Sequence, residues 1–212
     1  MIRVSKALYP LLLCFLLSGS VQGQGAVLFD FTNCTQSDID SWNEISDTVR
    51  KPGMSKAVLS LQTTRVFQRA VMFAMINPQP NGAGFAGMKT TIPDSAASQA
   101  GSTGLRLYVR GQGELKYWKV VLTDKDQVGV IGGYDYEQKF KLQKISRREF
   151  EIVDLPFSDF KAYRRGKEVK DAPAFDLTKT GSFGFQTFGG VYDGYKQQGS
   201  GSLEIDDVTF YD

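Results

Sequence analysis

Apolar and polar residues alternate along this chain with a period of two, in one short run after another. No amphipathic segment of helical period exceeds a couple of turns. Period-two alternation is the signature of a strand with one face on a core and one face in water. In 104–110, Leu105, Leu107 and Val109 oppose Arg106, Tyr108 and Arg110. In 134–142, Tyr134, Tyr136, Phe140 and Leu142 oppose Asp135, Glu137, Lys139 and Lys141. Shorter runs follow: Phe150 and Ile152 in 149–153, Phe183 and Phe185 in 182–186, Leu203 and Ile205 in 202–206. Ala70 to Ile76 is apolar at every position and reads as a central strand buried on both faces.

Turn residues punctuate these runs. Asn77-Pro78, Pro80-Asn81-Gly82, Gly111-Gln112-Gly113, Gly132-Gly133, Arg165-Gly166, Gly189-Gly190 and Gly199-Ser200-Gly201 all mark chain reversals. Gly111-Gln112-Gly113 is expected to close a hairpin between 104–110 and 115–122. The helical potential is limited to a single turn near Pro156 to Phe160, and 90–103 reads as an exposed Ser/Ala/Gly-rich loop. Many short strands without repeats predict an all-β chain, an antiparallel β-sandwich or jelly roll.

Composition removes much of enzymology. The 212 residues contain no histidine and only two cysteines, Cys14 and Cys34. A Ser-His-Asp triad, a Cys-His dyad, a His-ligated zinc and a His-ligated haem are excluded. The 25 Lys+Arg against 23 Asp+Glu give no strong basic field, so a nucleic-acid partner is not expected.

The N-terminus reads as a secretory signal peptide over residues 1–23. Arg3 and Lys6 supply the positive segment, Ala7 to Leu17 the apolar one, and Val21-Gln22-Gly23 the cleavage site before Gln24. The apolar segment is shorter than the ~20 residues needed to span a bilayer, so stable membrane insertion is not expected. The rival is a mitochondrial presequence, but the next arginine after Arg3 is Arg50. Cleavage leaves 189 residues, 24–212, expected as a single domain with no net charge and with Cys34 alone. That cysteine is open to burial, to exposure as a free thiol, or to a link with another chain. Asn33-Cys34-Thr35 is a glycosylation sequon, which places Asn33 at the surface of a secreted chain.

A set of short segments carries a family resemblance. Leu155-Pro156-Phe157-Ser158-Asp159-Phe160 is followed by Tyr163-Arg164-Arg165-Gly166-Lys167-Glu168-Val169. Before it come Leu28-Phe29-Asp30-Phe31, Trp42, Ser46-Asp47-Thr48-Val49, Gly53-Met54-Ser55, Asn81-Gly82-Ala83-Gly84-Phe85-Ala86 and Gly104 to Gly111. Gly184-Phe185-Gln186 and Leu203-Glu204-Ile205-Asp206 come after it. In this order they resemble the complex I intermediate-associated protein 30 family over about residues 28–211. The resemblance implies a galactose-binding-like jelly roll. It also implies a non-enzymatic assembly or chaperone role, mitochondrial in the family's best-known branch. The chain departs from the family pattern at Arg50-Lys51-Pro52-Gly53, where Met-Gly-Gly is usual, and at Gln112, where Asp is usual. The export signal is a third departure, since a secreted copy cannot reach matrix-side complex I intermediates.

Three candidate sites follow. Outward Arg106, Tyr108 and Arg110, brought beside Tyr117 and Lys119 by the expected hairpin and extended by Gln186, would form an aromatic and basic patch suited to sugar rings and carboxylates. The plain alternative is a solvated sheet face with charge pairs to Glu137 or Glu114. The loop Tyr192-Asp193-Gly194-Tyr195, with Tyr134 and Tyr136, could grip a ligand, or its tyrosines could pack beneath it. Asp30, Asp206 and Asp207 could hold a structural calcium if the termini meet, the one cofactor considered. A β-bulge at Asp206-Asp207 would explain the local break in alternation without metal. Asp124 and Asp126 read as a solvated loop in preference to a catalytic pair. Arg147-Arg148 and Arg164-Arg165 could be processing sites in an exported chain, with a structural role preferred for Arg164-Arg165 because it belongs to the family resemblance. The expectation is therefore a secreted, non-enzymatic binding module. It would act on a protein partner as a chaperone or assembly factor or, alternatively, on an extracellular glycan.

Overall fold

The computed structural model describes residues 25–80, 84–143, 145 and 148–212. The expected signal sequence, the Asn81-Gly82 turn and Arg147 lie outside the described residues. The strands in chain order are β1 (Val27–Asp30), β2 (Asn43–Ser46), β3 (Lys56–Thr63), β4 (Gln68–Ile76), β5 (Phe85–Thr91), β6 (Gly104–Gly113) and β7 (Tyr117–Asp124). They continue with β8 (Asp135–Lys141), β9 (Glu151–Pro156), β10 (Lys161–Arg164), β11 (Lys167–Glu168), β12 (Thr180–Phe188) and β13 (Gly199–Tyr211). One α-helical turn, α1 (Gln36–Asp40), was not legible in the sequence. Thr35 caps it, and Asp38 reaches back to the Thr35 backbone.

The strands form two antiparallel sheets, as the alternation predicts. One has the order β3-β4-β13-β6-β9, with β1 on β13; the other has the order β11-β10-β8-β7-β12-β5-β2. Leu105, Leu107 and Val109 of β6 are fully buried, as are Trp118, Val120 and Leu122 of β7. With Phe183 and Phe185 of β12 and Leu203 and Ile205 of β13 they belong to one hydrophobic cluster between the sheets. Trp42 stacks on Phe185 with ring centroids 6.1 Å apart and meets Phe183 edge-on at 6.0 Å. Such pairs add about 1 kcal/mol each beyond area burial.

The alternation break at the end of the chain is a bulge. The register of β13 against β6 slips between Ile205 and Asp207, leaving Asp206 as the extra residue. Its carbonyl accepts from the Phe31 amide at 2.9 Å. Val208 and Phe210 thereby return to the core face.

Three sequence expectations are corrected. The hairpin at Gly111-Gln112-Gly113 does not form: β6 pairs with β13 and β9, whereas β7 pairs with β12 and β8. The phase of 149–153 is inverted, with Leu155 buried and Ile152 61% exposed. Leu155 lies opposite Leu105, so the register with β6 decides the face, and the local pattern was too short to do so. β4 is not buried on both faces, since Phe73 and Met75 stand exposed on its outer side.

A single side chain secures the change of sheet between β6 and β7. Gln197 is 9% exposed. Its Oε1 accepts from the amides of Lys116 and Tyr117, both at 3.0 Å. Its Nε2 faces the Tyr117 carbonyl (2.7 Å), the Phe188 carbonyl (2.8 Å) and the Thr187 hydroxyl (3.0 Å). Backbone groups leaving one sheet for another lose their ladder partners, and Gln197 replaces them. Leucine at 197 should therefore destabilise the protein by about 3 kcal/mol, because it strands several buried polar groups. Equilibrium denaturation of Gln197→Leu against wild type measures this.

The outer face of the six-stranded sheet carries a closed ion network. Glu204, 3% exposed, accepts from Arg69 at 3.0 Å and from Arg110 and Gln112. The Arg69 guanidinium lies 4.0 Å from the Phe67 ring and 4.6 Å from the Phe150 ring, which also covers Arg110 at 4.8 Å. Burial raises the Glu204 carboxyl, but the bonds from Arg110, Arg69 and Gln112 outweigh it and hold the group below its ordinary 4.5. A depressed carboxyl stabilises the fold above its unfolded pKa, and that contribution disappears as pH falls through the folded value. The stability advantage of wild type over Glu204→Gln should accordingly shrink as pH drops below about 4.5, a trend that pH-dependent thermal melts will show.

Candidate functional site

The outward residues of the seven-stranded sheet line a cleft of about 490 Å³, a size typical of ligand sites. Its floor follows from register. Lys119 of β7 lies opposite Gln186 of β12 on one side and Lys139 of β8 on the other. Gln186 in turn faces Gly87 of β5, which faces Ile45 of β2. Gly87 keeps this row low: a Cβ there would stand 2.3 Å from the Phe185 carbonyl oxygen. Gln127, Gly129, Val130, Gly132, Gly133 and Tyr134 contribute to the lining from one loop, Arg165-Gly166 and 190–193 from others, and Arg50 lines it as well.

The floor is polar yet withdrawn from water. Lys119, Glu137 and Gln186 are each less than 10% exposed. Lys119 Nζ lies 2.7 Å from Glu137 Oε2, and Lys139 Nζ lies 2.6 Å from Asp193 Oδ1. Both ammonium groups sit over the Phe188 ring, at 5.3 and 5.2 Å. Lys89 donates to the Thr123 hydroxyl at 2.6 Å and stands 3.8 Å from Asp135. Burial pushes the Lys89 ammonium down, against the pull of Asp135. The Gln186 side chain makes no hydrogen bond to another described residue. Phe85, Tyr134, Tyr163, Phe188 and Tyr192 add aromatic surface around this floor.

One wall holds an unusual backbone position. Arg165 and Gly166 form the two-residue connection between β10 and β11, with φ of 51° and 77°. Asparagine or aspartate is the usual partner of glycine in such a turn. An arginine in the left-handed region costs about 1–2 kcal/mol. A Cβ on Gly166 would come within 3.0 Å of the Tyr192 ring, so the turn and Tyr192 touch.

The sequence-derived patch is divided between the two outer faces. Arg106, Tyr108 and Arg110 are on the six-stranded sheet and each has partners there. Arg106 makes two bonds to Asp154 (2.7 and 2.9 Å), Tyr108 stacks on Phe150 at 4.9 Å, and Arg110 belongs to the Glu204 network. Tyr117 is on the seven-stranded sheet, but its ring stacks at 3.7 Å on Tyr195 and takes the Lys141 ammonium at 5.6 Å. Lys119, Gln186 and Tyr192 do line the cleft. Of the companion tyrosines, Tyr136 is buried in the core and Tyr134 lines the cleft.

The expected calcium ligands are dispersed in role. Asp30 pairs with Asp207 across β1 and β13, but Asp30 Oδ1 accepts from the Thr32 amide and hydroxyl, and Asp206 lies 3.4 Å from Arg69 Nε. Among the described residues no group of three or more His, Cys, Asp or Glu could hold a metal ion. Asn33 is exposed. The thiol of Cys34 is half-buried against the Phe31 carbonyl, and burial raises its pKa.

The sequence that builds these strands matches the model of one family. The complex I intermediate-associated protein 30 family matches residues 29–205. This chain belongs to that family. A relative in Schizosaccharomyces pombe, the uncharacterised protein C9E9.15, is 30% identical over 105 residues. The match covers 48% of this chain and spans about half (47%) of that protein's length. Among solved structures, the fold resembles the family 11 carbohydrate-binding module of Clostridium thermocellum. In complex with a β-1,3-1,4-mixed-linked tetrasaccharide, that module superposes with a TM-score of 0.61 at 14% identity, covering 89% of this chain and 95% of the module. The same family 11 module in the cellulosomal cellulase Lic26A-Cel5E gives 0.59 at 14% identity, over 88% and 94%. The chain thus has the β-sandwich of carbohydrate-binding modules. No helix among its described residues is long and apolar enough to cross a membrane.

Removing one member of the floor pair should cost more than removing both. Lys119→Met leaves Glu137 buried without its cation and should destabilise by about 3–5 kcal/mol, whereas Lys119→Met with Glu137→Leu should recover most of that. Chemical denaturation of the two variants distinguishes the cases.

Proposed function

We propose that this chain is a single-domain, non-catalytic binding module and that it takes an oligosaccharide in the cleft of the seven-stranded sheet. The observation that carries this reading is the floor itself. Burying Lys119, Glu137 and Gln186 on an outward sheet face is expensive for stability, and the Gln186 side chain has no hydrogen-bond partner among the described residues. Fixed polar groups beside Phe188, Tyr163 and Tyr192 suit a ring with hydroxyls at its edge and C–H groups on its faces. The likeness to a tetrasaccharide-binding module supports this ligand class. We further propose that the chain is exported, with residues 1–23 removed and Asn33 available for glycosylation; the sequence of the N-terminus and the exposure of Asn33 support this.

A second reading keeps a protein partner, as the family's description suggests. Val58 and Phe73 lie opposite one another on β3 and β4, beside Met75, and all three are about half exposed. An apolar patch of this kind on the six-stranded sheet suits a protein surface.

Titration of the purified chain with a panel of oligosaccharides tests the first reading. Gln186→Ala should weaken binding about tenfold, the equivalent of about 1.4 kcal/mol, with an unchanged melting temperature. Tyr108→Ala on the opposite face should leave binding intact. Binding lost in Tyr108→Ala but retained in Gln186→Ala would place the ligand on the other sheet. No oligosaccharide binding, together with a purified protein partner lost in Phe73→Ser, would establish the second reading in its place.

A further inference from the structure

We infer that the wall built by Arg165 and Tyr192 is a subsite for an acidic sugar, one bearing a carboxylate or sulfate group. This rests on the oligosaccharide reading of the cleft and specifies the ligand's charge. Five basic side chains line the cleft, Arg50, Lys89, Lys119, Lys139 and Arg165, against three acidic ones, Asp135, Glu137 and Asp193. Each acid already has its lysine: Asp135 with Lys89, Glu137 with Lys119, Asp193 with Lys139. Arg50 and Arg165 have no ion pair and no side-chain hydrogen bond among the described residues. The positive excess of the cleft is therefore carried by two arginine forks at its edge, in a sequence whose charges otherwise nearly balance.

Arg165 is the more telling of the two. Its turn would be satisfied by asparagine, yet it holds an arginine with φ of 51°. A residue kept against local preference, at the edge of a cleft and without a partner among the described residues, points to a ligand. Beside it Tyr192 is 58% exposed, with the Lys167 ammonium 5.4 Å from its ring. A tyrosine face and a planar guanidinium on one wall match the two halves of an acidic sugar. The ring lies on the aromatic surface, and the anionic group takes two parallel hydrogen bonds from the fork.

Arg165→Asn separates binding from folding, because asparagine is favoured in this turn and the variant should melt no lower than wild type. Calorimetric titration would use an oligogalacturonate, a sulfated heparin-derived oligosaccharide and a neutral mixed-linked β-glucan tetrasaccharide. Wild type should bind at least one acidic ligand tenfold or more tighter than the neutral one, and Arg165→Asn should remove that preference. The ligand that responds tells carboxylate from sulfate. Equal affinity for the neutral ligand, or full acidic affinity in Arg165→Asn, overturns the acidic subsite while leaving the cleft as a sugar site. Absence of binding to all three overturns the subsite together with the oligosaccharide reading on which it rests.

Discussion

The arrangement of this sandwich depends on Gln197. Between β6 and β7 the chain leaves one sheet and enters the other within Glu114, Leu115 and Lys116, and its backbone must do so without exposing unpaired groups to the core. The Gln197 amide accepts from the N–H groups of Lys116, at the end of the crossing, and of Tyr117, the first residue of β7, and donates back toward the carbonyls of β7 and β12. Leu115 is fully buried there, and its carbonyl takes the Trp118 indole N–H at 3.1 Å. Because the crossing is fixed at this point, Lys119 emerges on the outer face of the second sheet, opposite Gln186. Without the crossing, the same residues would continue the first sheet and no cleft floor would assemble.

The two outer faces handle their buried charges in contrasting ways. On the six-stranded sheet, Glu204 is surrounded by Arg69, Arg110 and Gln112, with phenylalanine rings over both guanidinium groups. Its hydrogen-bonding capacity is used within the protein, so the network is a lock. On the seven-stranded sheet, Lys119–Glu137 and Lys139–Asp193 lie at the base of a cleft, beside the Gln186 amide, which has no partner among the described residues. Buried ion pairs contribute little net stability. The lock joins β4, β6 and β13, whereas the floor pairs lie at the base of a cleft. This difference, more than the number of aromatic or basic residues on either face, is why the proposed ligand is assigned to the seven-stranded sheet.

Much of the fold was legible in the sequence, because strand alternation is a local property. The inward residues of β6, β7 and β12 follow directly from it, and the slip at Asp206-Asp207 announced a bulge. What was not legible depends on long-range pairing. Gly111-Gln112-Gly113 looks like a hairpin turn, yet nothing local says that Gln197, some eighty residues away, will direct the chain elsewhere. The reversed phase of Ile152 and Leu155 has the same origin, since pairing with β6 sets it. The composite patch of Arg106, Tyr108, Arg110, Tyr117 and Lys119 failed with the hairpin on which it rested. Lys119, Gln186 and Tyr192 reach the cleft independently of that hairpin. The φ of Arg165 was invisible, although Arg-Gly in a two-residue turn between strand-like segments was a signal that could have been read.

The central claim, that ligand enters the seven-stranded face, is tested most directly by mapping amide chemical shifts during titration with oligosaccharides. Shifts are expected to concentrate on β5, β7, β8 and β12 and on the turn at Arg165-Gly166, with β4, β6 and the Glu204 network unmoved. Shifts confined to β3, β4 and β6, or none with any oligosaccharide, would contradict it.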